Sequence, residues 1–200
     1  MTTYLQLLSL DTVGSSPSVV VATENSRFLF DSGEGIQRLC VEHRARIAKL
    51  QGIYLTRLCP ETIGGLPGLC LTAADAGKSQ LSIVGPERTA LFWNSTGHFM
   101  RRSSFNVSIL EPKEDGSSNR TIDVQKYVDM TIHSIPIGDN HVSYICETPQ
   151  LAGKFDIKKA MALKIPKGDR VITSSLTDGL VDSLIIVLLA SLPASLLPTY

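Results

Sequence analysis

The chain lacks an excess of charge of either sign. Its 19 lysines and arginines balance 19 aspartates and glutamates, so the formal net charge is +0 at pH 7. A domain that binds nucleic acid by itself carries a basic excess that attracts the phosphate backbone. The balance argues against a self-sufficient nucleic-acid binder, and any RNA contact must rest on local basic patches.

Cysteine and histidine are scarce and scattered. None of the four cysteines forms a Cys-x-x-Cys pair, which favours buried free thiols in a reducing compartment. No two of the four histidines stand at metal-ligand spacing on one predicted element. We expect no metal site built from a histidine pair, and the spacing of His43 places it on the apolar face of a helix.

The amino-terminal segment lacks a positively charged region before an apolar stretch, and no arginine precedes Arg27. Secretory signals and mitochondrial transit peptides need such features, so we predict the nucleus or the cytoplasm. A long apolar run is also missing. Residues 184–192 are apolar but lie between Asp182 and Pro193. They fall short of the roughly 20 residues that cross a bilayer, so we expect no membrane anchor.

Hydrophobic periodicity predicts alternating strands and helices. Alternating or short apolar runs predict strands at 4–10, 18–22, 27–31, 52–56, 80–84, 105–110, 121–124, 130–137 and 141–147. Spacings of three and four predict helices at 34–50, 66–76, 86–100 and 155–163. The mixture is typical of the α/β class.

One run resembles a zinc-hydrolase motif whose metal ligands have been replaced. Metallo-β-lactamase-type hydrolases carry Thr-His-x-His-x-Asp-His after a strand, and those side chains bind Zn²⁺. At the four functional positions this chain has Arg57, Cys59, Glu61 and Thr62. Arginine offers no lone pair and threonine is a poor zinc ligand. Only Cys59 and Glu61 remain, which are too few for a catalytic zinc site.

Two flanking stretches resemble tRNase Z, the endonuclease that trims tRNA 3′ ends. Residues 63–68 read Ile-Gly-Gly-Leu-Pro-Gly, like the segment after the histidines in that family. Residues 29–38 resemble the strand and turn before its first helix, and the turn motif comprises Asp31, Gly33, Glu34 and Gly35. Long-form tRNase Z has two homologous halves, of which the amino-terminal one has lost the zinc motif. The chain resembles that pseudo-catalytic half from about residue 4 to residue 168.

The resemblance implies a metallo-β-lactamase-like αββα layered fold in one degenerate domain, residues 1–168. Residues 169–200 look unrelated to the family, and we interpret this apolar tail as the product of truncation or of an error in the gene model. The turn motif is expected to be structural, with Ser32 capping the following helix and Glu34 complementing its dipole.

The resemblance also implies a function. The chain would be the non-catalytic half of a tRNA 3′-end processing endoribonuclease, scaffolding the catalytic carboxy-terminal half and helping it bind precursor tRNA. In the family the zinc ions belong to the catalytic half, so no metal and no catalytic residue is expected here. Two alternatives stay open: a stand-alone metal-dependent hydrolase with a site rebuilt from Cys59, Glu61, Asp139 and His141, or a truncated competitor that binds the catalytic half.

Basic residues supply the candidate RNA contacts. Lys158, Lys159, Lys164 and Lys167 lead toward the place where the family's clamping arm would emerge, which makes them the first candidates. Further basic groups lie on the first predicted helix, at Arg38, Arg44, Arg46 and Lys49. Arg57 and Glu61 stand four residues apart, and we hypothesise that their ion pair replaces the metal as a local cross-link.

Overall fold

The described part of the chain alternates strands and helices as the periodicity predicts. The computed structural model describes residues 2–10, 17–100, 104–113, 123–137, 140–149, 151–152, 180–181 and 185–188. The strands are β1 (Tyr4–Ser9), β2 (Ser18–Ala22), β3 (Arg27–Phe30), β4 (Leu50–Tyr54), β5 (Gln80–Val84), β6 (Asn106–Leu110), β7 (Asp123–Lys126), β8 (Thr131–Pro136), β9 (Val142–Glu147), β10 (Leu151–Ala152), β11 (Leu180–Val181) and β12 (Ile185–Leu188). The helices are α1 (Ile36–Glu42), α2 (Pro60–Ile63), α3 (Leu66–Asp75) and α4 (Thr89–Met100), with a 3₁₀ turn at Ile47–Lys49.

The first sheet has six strands in the order β1-β2-β3-β4-β5-β6. Its first three strands are antiparallel, whereas β3 to β6 run parallel to one another. Parallel neighbours need crossover connections, which α1, α3 and α4 supply. Because β3 and β4 are parallel neighbours, their carboxyl ends meet at one edge of the sheet. The loops that follow these two strands are therefore brought together there.

A second, antiparallel sheet in the order β12-β9-β8-β7 packs on one face of the first, and helices cover the other face. Alternation along β3 divides its side chains between the two layers. Phe28 and Phe30 pack with Met130 and Tyr144 between the sheets. Leu29 packs on the helical side, in the same core as Leu69 of α3. This arrangement agrees with the predicted α/β class.

Part of the predicted apolar tail belongs to the second sheet. Strand β12 pairs with β9, from Ile185 opposite Glu147 to Leu188 opposite Tyr144. The division of the chain at residue 168 stays a prediction. The helix predicted at 155–163 and the four candidate RNA-contacting lysines between 158 and 167 lie outside the described residues. Among the helices that the structure describes, none is long and apolar enough to cross a membrane.

Helix α1 ends eight residues before the predicted end at residue 50, so that prediction was wrong. The Arg44 N–H donates to Val41 O at 3.1 Å, and the Ala45 N–H donates to Cys40 O at 2.8 Å. This Schellman pattern places Arg44 in the left-handed region, with φ 53°. Ile47 and Leu50 continued the helical spacing by coincidence, because Ile47 lies in the 3₁₀ turn and Leu50 begins β4. His43, expected on the apolar face, is exposed at the helix end instead.

Arg44→Gly is expected to stabilise the protein. A side chain costs about 1 kcal/mol or more in the left-handed region, and glycine avoids that cost. Part of the gain is offset by the larger entropy of glycine in the unfolded chain, so we expect an increase of roughly 0.5 kcal/mol in the free energy of unfolding. Urea denaturation measures the change. Arg44→Ala is the matched control, and a glycine variant no more stable than the alanine variant would contradict the assigned backbone conformation.

Candidate functional site

A buried carboxylate ties together the ends of β3 and β4. Asp31 directly follows β3 and has a left-handed backbone with φ 59°. The Thr56 N–H donates to Asp31 Oδ1 at 2.8 Å, and Thr56 Oγ1 donates to Asp31 Oδ2 at 2.8 Å. The Asp31 N–H in turn donates to Tyr54 O at 2.9 Å. These bonds fix the start of the loop that carries the degenerate motif.

Asp31 is only 8% exposed. Burial raises the pKa of its carboxyl from 3.8 to about 6, because a charged carboxylate is poorly solvated there. The hydrogen bonds from Thr56 and the positive charge of Arg57 partly oppose this rise in pKa. The carboxyl therefore stays protonated to a higher pH than an ordinary aspartate does.

Two of the four residues that stand at zinc-ligand positions of the resembled motif, Cys59 and Thr62, form the amino-terminal cap of α2. Thr62 Oγ1 lies 2.6 Å from Arg57 O and accepts a hydrogen bond from the Cys59 N–H at 3.3 Å. Cys59 Sγ lies 3.4 Å from Thr62 Oγ1. Pro60, at the first helical position, suits the beginning of α2 because its missing N–H needs no partner there. Cys59 and Thr62 thus hold a tight turn at the position where zinc ligands stand in the resembled motif.

The other two positions carry opposite charges that do not form the hypothesised ion pair. Among the described residues no ion pair joins Arg57 to Glu61, whereas Arg38 pairs with Glu42 at 2.8 Å. The Glu61 side chain is exposed, and its pKa is lowered first by a hydrogen bond from Cys59, with the charge of Arg57 a lesser cause. Arg57 therefore acts on both Glu61 and Asp31 through its charge alone.

The backbone of Arg57 connects this loop to the second sheet. Arg57 forms an isolated antiparallel bridge with His141, and the Val142 N–H donates to Thr56 O at 2.9 Å. The start of β9 is therefore brought next to the degenerate motif. Arg57 Nε is buried and has no hydrogen-bond partner among the described residues.

The glycine-rich turn packs directly against the degenerate motif. The Ser32 N–H donates to Thr62 O at 2.7 Å, and the Gly65 N–H donates to Ser32 O at 2.9 Å. A Cβ on Gly65 would overlap Gly33 O and would lie 2.6 Å from Ile36 Cγ2. The two segments that carried the resemblance in the sequence are thus in contact, and glycine at position 65 permits the close approach.

The expected capping of α1 by Ser32 is wrong. Gly35, with φ 76°, precedes the first helical residue, and no side chain caps that end. Ser32 Oγ is buried without a hydrogen-bond partner among the described residues. Glu34 is exposed and lies outside the helix, whose first turn has no acidic residue. The turn motif acts through its backbone contacts with residues 62–65 rather than through capping.

Sequence reasoning missed the tyrosine beneath this edge. Tyr144 is fully buried on β9, and its hydroxyl donates to Leu55 O at 2.6 Å. Burial raises the pKa of Tyr144 well above its usual range. The alternating pattern of β9 indicated an inward-facing residue at this position. It gave no sign that the hydroxyl would reach the carboxyl end of β4, because that contact joins residues 89 positions apart.

The donor set does not fit a catalytic zinc ion. The described residues hold no group of three or more His, Cys, Asp or Glu side chains that could bind a metal. Arg57 offers no lone pair, and the Thr62 hydroxyl is engaged with two backbone carbonyls. Asp139, a member of the alternative rebuilt site, lies outside the described residues.

Comparison with known families decides the identity of this fold. The model of a family described as tRNase Z endonuclease matches residues 5–65, which include β1 to β4 and the degenerate motif. The chain belongs to the tRNase Z family. It corresponds to the amino-terminal half of the long forms, and its fold is that of metallo-β-lactamase-like proteins. The recognition drawn from residues 29–38 and 56–68 is confirmed, and so is the fold class.

Two relatives and one solved structure illustrate the similarity. The mitochondrial tRNase Z TRZ4 of Arabidopsis thaliana is 35% identical over 195 residues, covering 84% of this chain and 21% of the relative. The mitochondrial ribonuclease Z of Drosophila melanogaster is 30% identical over 173 residues, covering 84% of this chain and 22% of the relative. The structure of a long-form RNase Z from yeast superposes with a TM-score of 0.64 at 19% identity, covering 75% of this chain and 27% of that one. The chain thus spans about a fifth of the length of these two relatives.

The prediction of a nuclear or cytoplasmic location is wrong. Both curated relatives are named as mitochondrial proteins. The prediction rested on the lack of arginine before Arg27, and the composition of the first residues of this chain is a poor guide to the location of relatives about five times its length. The zinc dependence of the family is supported. In contrast, the described residues of this chain hold no group of three or more side chains that could bind a metal.

Proposed function

We propose that this chain is the non-catalytic half of a mitochondrial tRNA 3′-end processing endoribonuclease. In this proposal it scaffolds the catalytic carboxy-terminal half and helps to hold precursor tRNA. The supporting observation is the chemistry of the edge between β3 and β4. At that edge Arg57 takes a ligand position, and Cys59 and Thr62 cap a helix.

A degenerate site of this kind favours a structural role over a rebuilt catalytic one. A water-activating zinc site needs three protein ligands and an open position. Here the Asp31 carboxylate is held by Thr56, and the positive charge of Arg57 lies close enough to lower its pKa. The positive charge of Arg57 repels a divalent cation and favours the ionised form of the neighbouring carboxylates. The fold can therefore keep its edge intact without a metal and present its surfaces to a partner.

Reconstitution with a catalytic half tests the proposal. The full chain and the separately purified carboxy-terminal half of a long-form tRNase Z are mixed at micromolar concentration, and sedimentation velocity measures the complex. Cleavage of a precursor tRNA is followed in the same mixtures. We expect a complex whose cleavage rate exceeds that of the catalytic half alone. No association at micromolar concentration would reject the scaffold, and association that slows cleavage would identify a competitor instead.

A further inference from the structure

A basic groove lies at the end of the first sheet opposite the degenerate motif. Its volume is about 850 Å³. The lining residues that carry the argument are Tyr4, Arg27, His43, Arg44, Arg46 and Lys49. Arg27 begins β3 and Lys49 directly precedes β4, whereas Asp31 and Thr56 follow the far ends of the same strands. The groove is therefore a different place on the molecule from the edge described above.

The charge of the groove is of one sign. Four of its lining residues are arginine or lysine, and no described lining residue is aspartate or glutamate. This local excess stands out because the whole chain has a formal net charge of +0. A concave surface lined by one sign of charge focuses the electrostatic potential and attracts an oppositely charged ligand.

The cations of the groove divide into fixed and available groups. The Arg27 guanidinium is buried and donates to Ser26 O at 2.8 Å, and Lys49 Nζ donates to Glu24 O at 2.8 Å. Arg44 and Arg46 are exposed, and the structure gives their side chains no hydrogen bond or ion pair within the described residues. Arg38, on α1, differs because it pairs with Glu42 at 2.8 Å. Two guanidinium groups are thus free to bind an external anion.

An aromatic ring stands beside these cations. Tyr4 is 46% exposed on the edge strand β1, and its hydroxyl accepts a hydrogen bond from Arg27 Nη2 at 3.2 Å. The Arg27 guanidinium lies 5.5 Å from the centre of the ring, which holds the tyrosine in place. The contact between Tyr4 and Arg27 could not be predicted from the sequence, because the two residues are 23 positions apart in the chain.

We propose that this groove binds the phosphate backbone of an RNA strand, with Arg44 and Arg46 on the phosphates and Tyr4 stacked on a base. A basic groove with an exposed aromatic ring is the usual platform for flexible or single-stranded nucleic acid. An acidic peptide would use the cations and leave the ring without a role. The inference rests on the proposed function, because it names the part of the chain that would hold precursor tRNA.

Binding of a fluorescein-labelled precursor tRNA to the full chain, followed by anisotropy over a salt series, tests the groove. The double variant Arg44→Gln with Arg46→Gln is expected to bind roughly tenfold more weakly, and the slope of log Kd against log salt should fall by about 1 to 2. Arg38→Gln is the matched control, because it removes an arginine of α1 that lies outside the groove and is paired with Glu42. It should change the affinity by less than about twofold.

Two further variants separate binding from folding. Arg44→Gly removes one groove charge while it is expected to stabilise the fold, so weaker RNA binding with unchanged or higher stability supports the groove. Tyr4→Leu should weaken binding about fivefold or more, whereas Tyr4→Phe, which keeps the ring, should retain it.

The proposal that the groove binds RNA is rejected if the parent chain does not bind the RNA, or if the double variant binds it as tightly as the parent. In either case, assembly with the catalytic half in the sedimentation experiment would leave the scaffold role standing. A double variant that keeps its RNA affinity but loses the catalytic half would assign the groove to a protein partner, which also overturns the proposal.

Discussion

Gly65→Ala is expected to lower the free energy of unfolding by about 3 kcal/mol, since inserting a methyl group into a packed site costs 1–3 kcal/mol and this methyl group would meet backbone. The added Cβ would overlap Gly33 O and would approach Ile36 Cγ2 to 2.6 Å. A flexible side chain could move aside, but the Gly33 carbonyl belongs to the turn that is hydrogen-bonded to residues 62 and 65. Relief of the overlap must therefore separate the two segments by which the family is recognised.

Gly97→Ala is the matched control for this prediction. Gly97 lies in α4, and a Cβ there would meet no atom within 4 Å. Alanine is preferred to glycine in a helix, so this variant should raise the free energy of unfolding by roughly 0.5–1 kcal/mol. Urea denaturation of both variants, with a check that the slopes are unchanged, gives the two values. Equal effects at the two positions would show that residues 33 and 65 are not in the described contact.

Asp31→Asn is expected to change how stability depends on pH. The folded-state pKa of Asp31 is about 6 and its ordinary value is 3.8, so the folded protein holds the proton more tightly. The stability linked to this group is therefore fully present below about pH 4 and is lost as the pH rises through 6. Asparagine carries no charge, and its side-chain oxygen can still accept the Thr56 N–H. The advantage of the variant should grow by up to about 3 kcal/mol between pH 4 and pH 7.

Denaturant unfolding at half-unit pH steps measures this difference between the parent chain and Asp31→Asn. Asp75→Asn, which alters an exposed carboxyl on α3, is the control for a general effect of removing a negative charge. A difference between parent and Asp31→Asn that stays constant from pH 4 to pH 7 would contradict the buried environment of Asp31. A difference that shrinks as the pH rises would show that the carboxylate is stabilised rather than destabilised in the folded state.

Local patterns in the sequence were enough for most of the fold. The strands β2, β5 and β9 follow the predicted limits closely, because each is a short apolar run flanked by turn residues. The family could be recognised because the motif keeps its glycines at 64, 65 and 68 after losing its ligands. A Cβ at Gly64 or Gly65 would lie under 3.0 Å from a backbone oxygen, so glycine at these two positions is required by packing that does not depend on zinc.

Features that depend on distant residues could not be predicted. Ser32 was expected to cap α1 because serine is a common capping residue, yet its N–H is used by Thr62 O, 30 positions away in the chain. Arg57 and Glu61 are four residues apart, a spacing that permits an ion pair within one helix. Helix α2 begins only at residue 60, however, and it leaves Glu61 exposed. Tyr4 reaches the basic groove only because β1 is the edge strand of a sheet that also contains Arg27.

The most direct test of the account asks whether this chain alone is a zinc-dependent nuclease. The purified chain is dialysed with Zn²⁺, its metal content is determined by mass spectrometry, and cleavage of a precursor tRNA is assayed alongside Cys59→Ala. The account predicts less than stoichiometric zinc and no cleavage by either protein. Stoichiometric zinc with cleavage by the parent chain, lost in Cys59→Ala, would contradict it and would restore the rebuilt hydrolase.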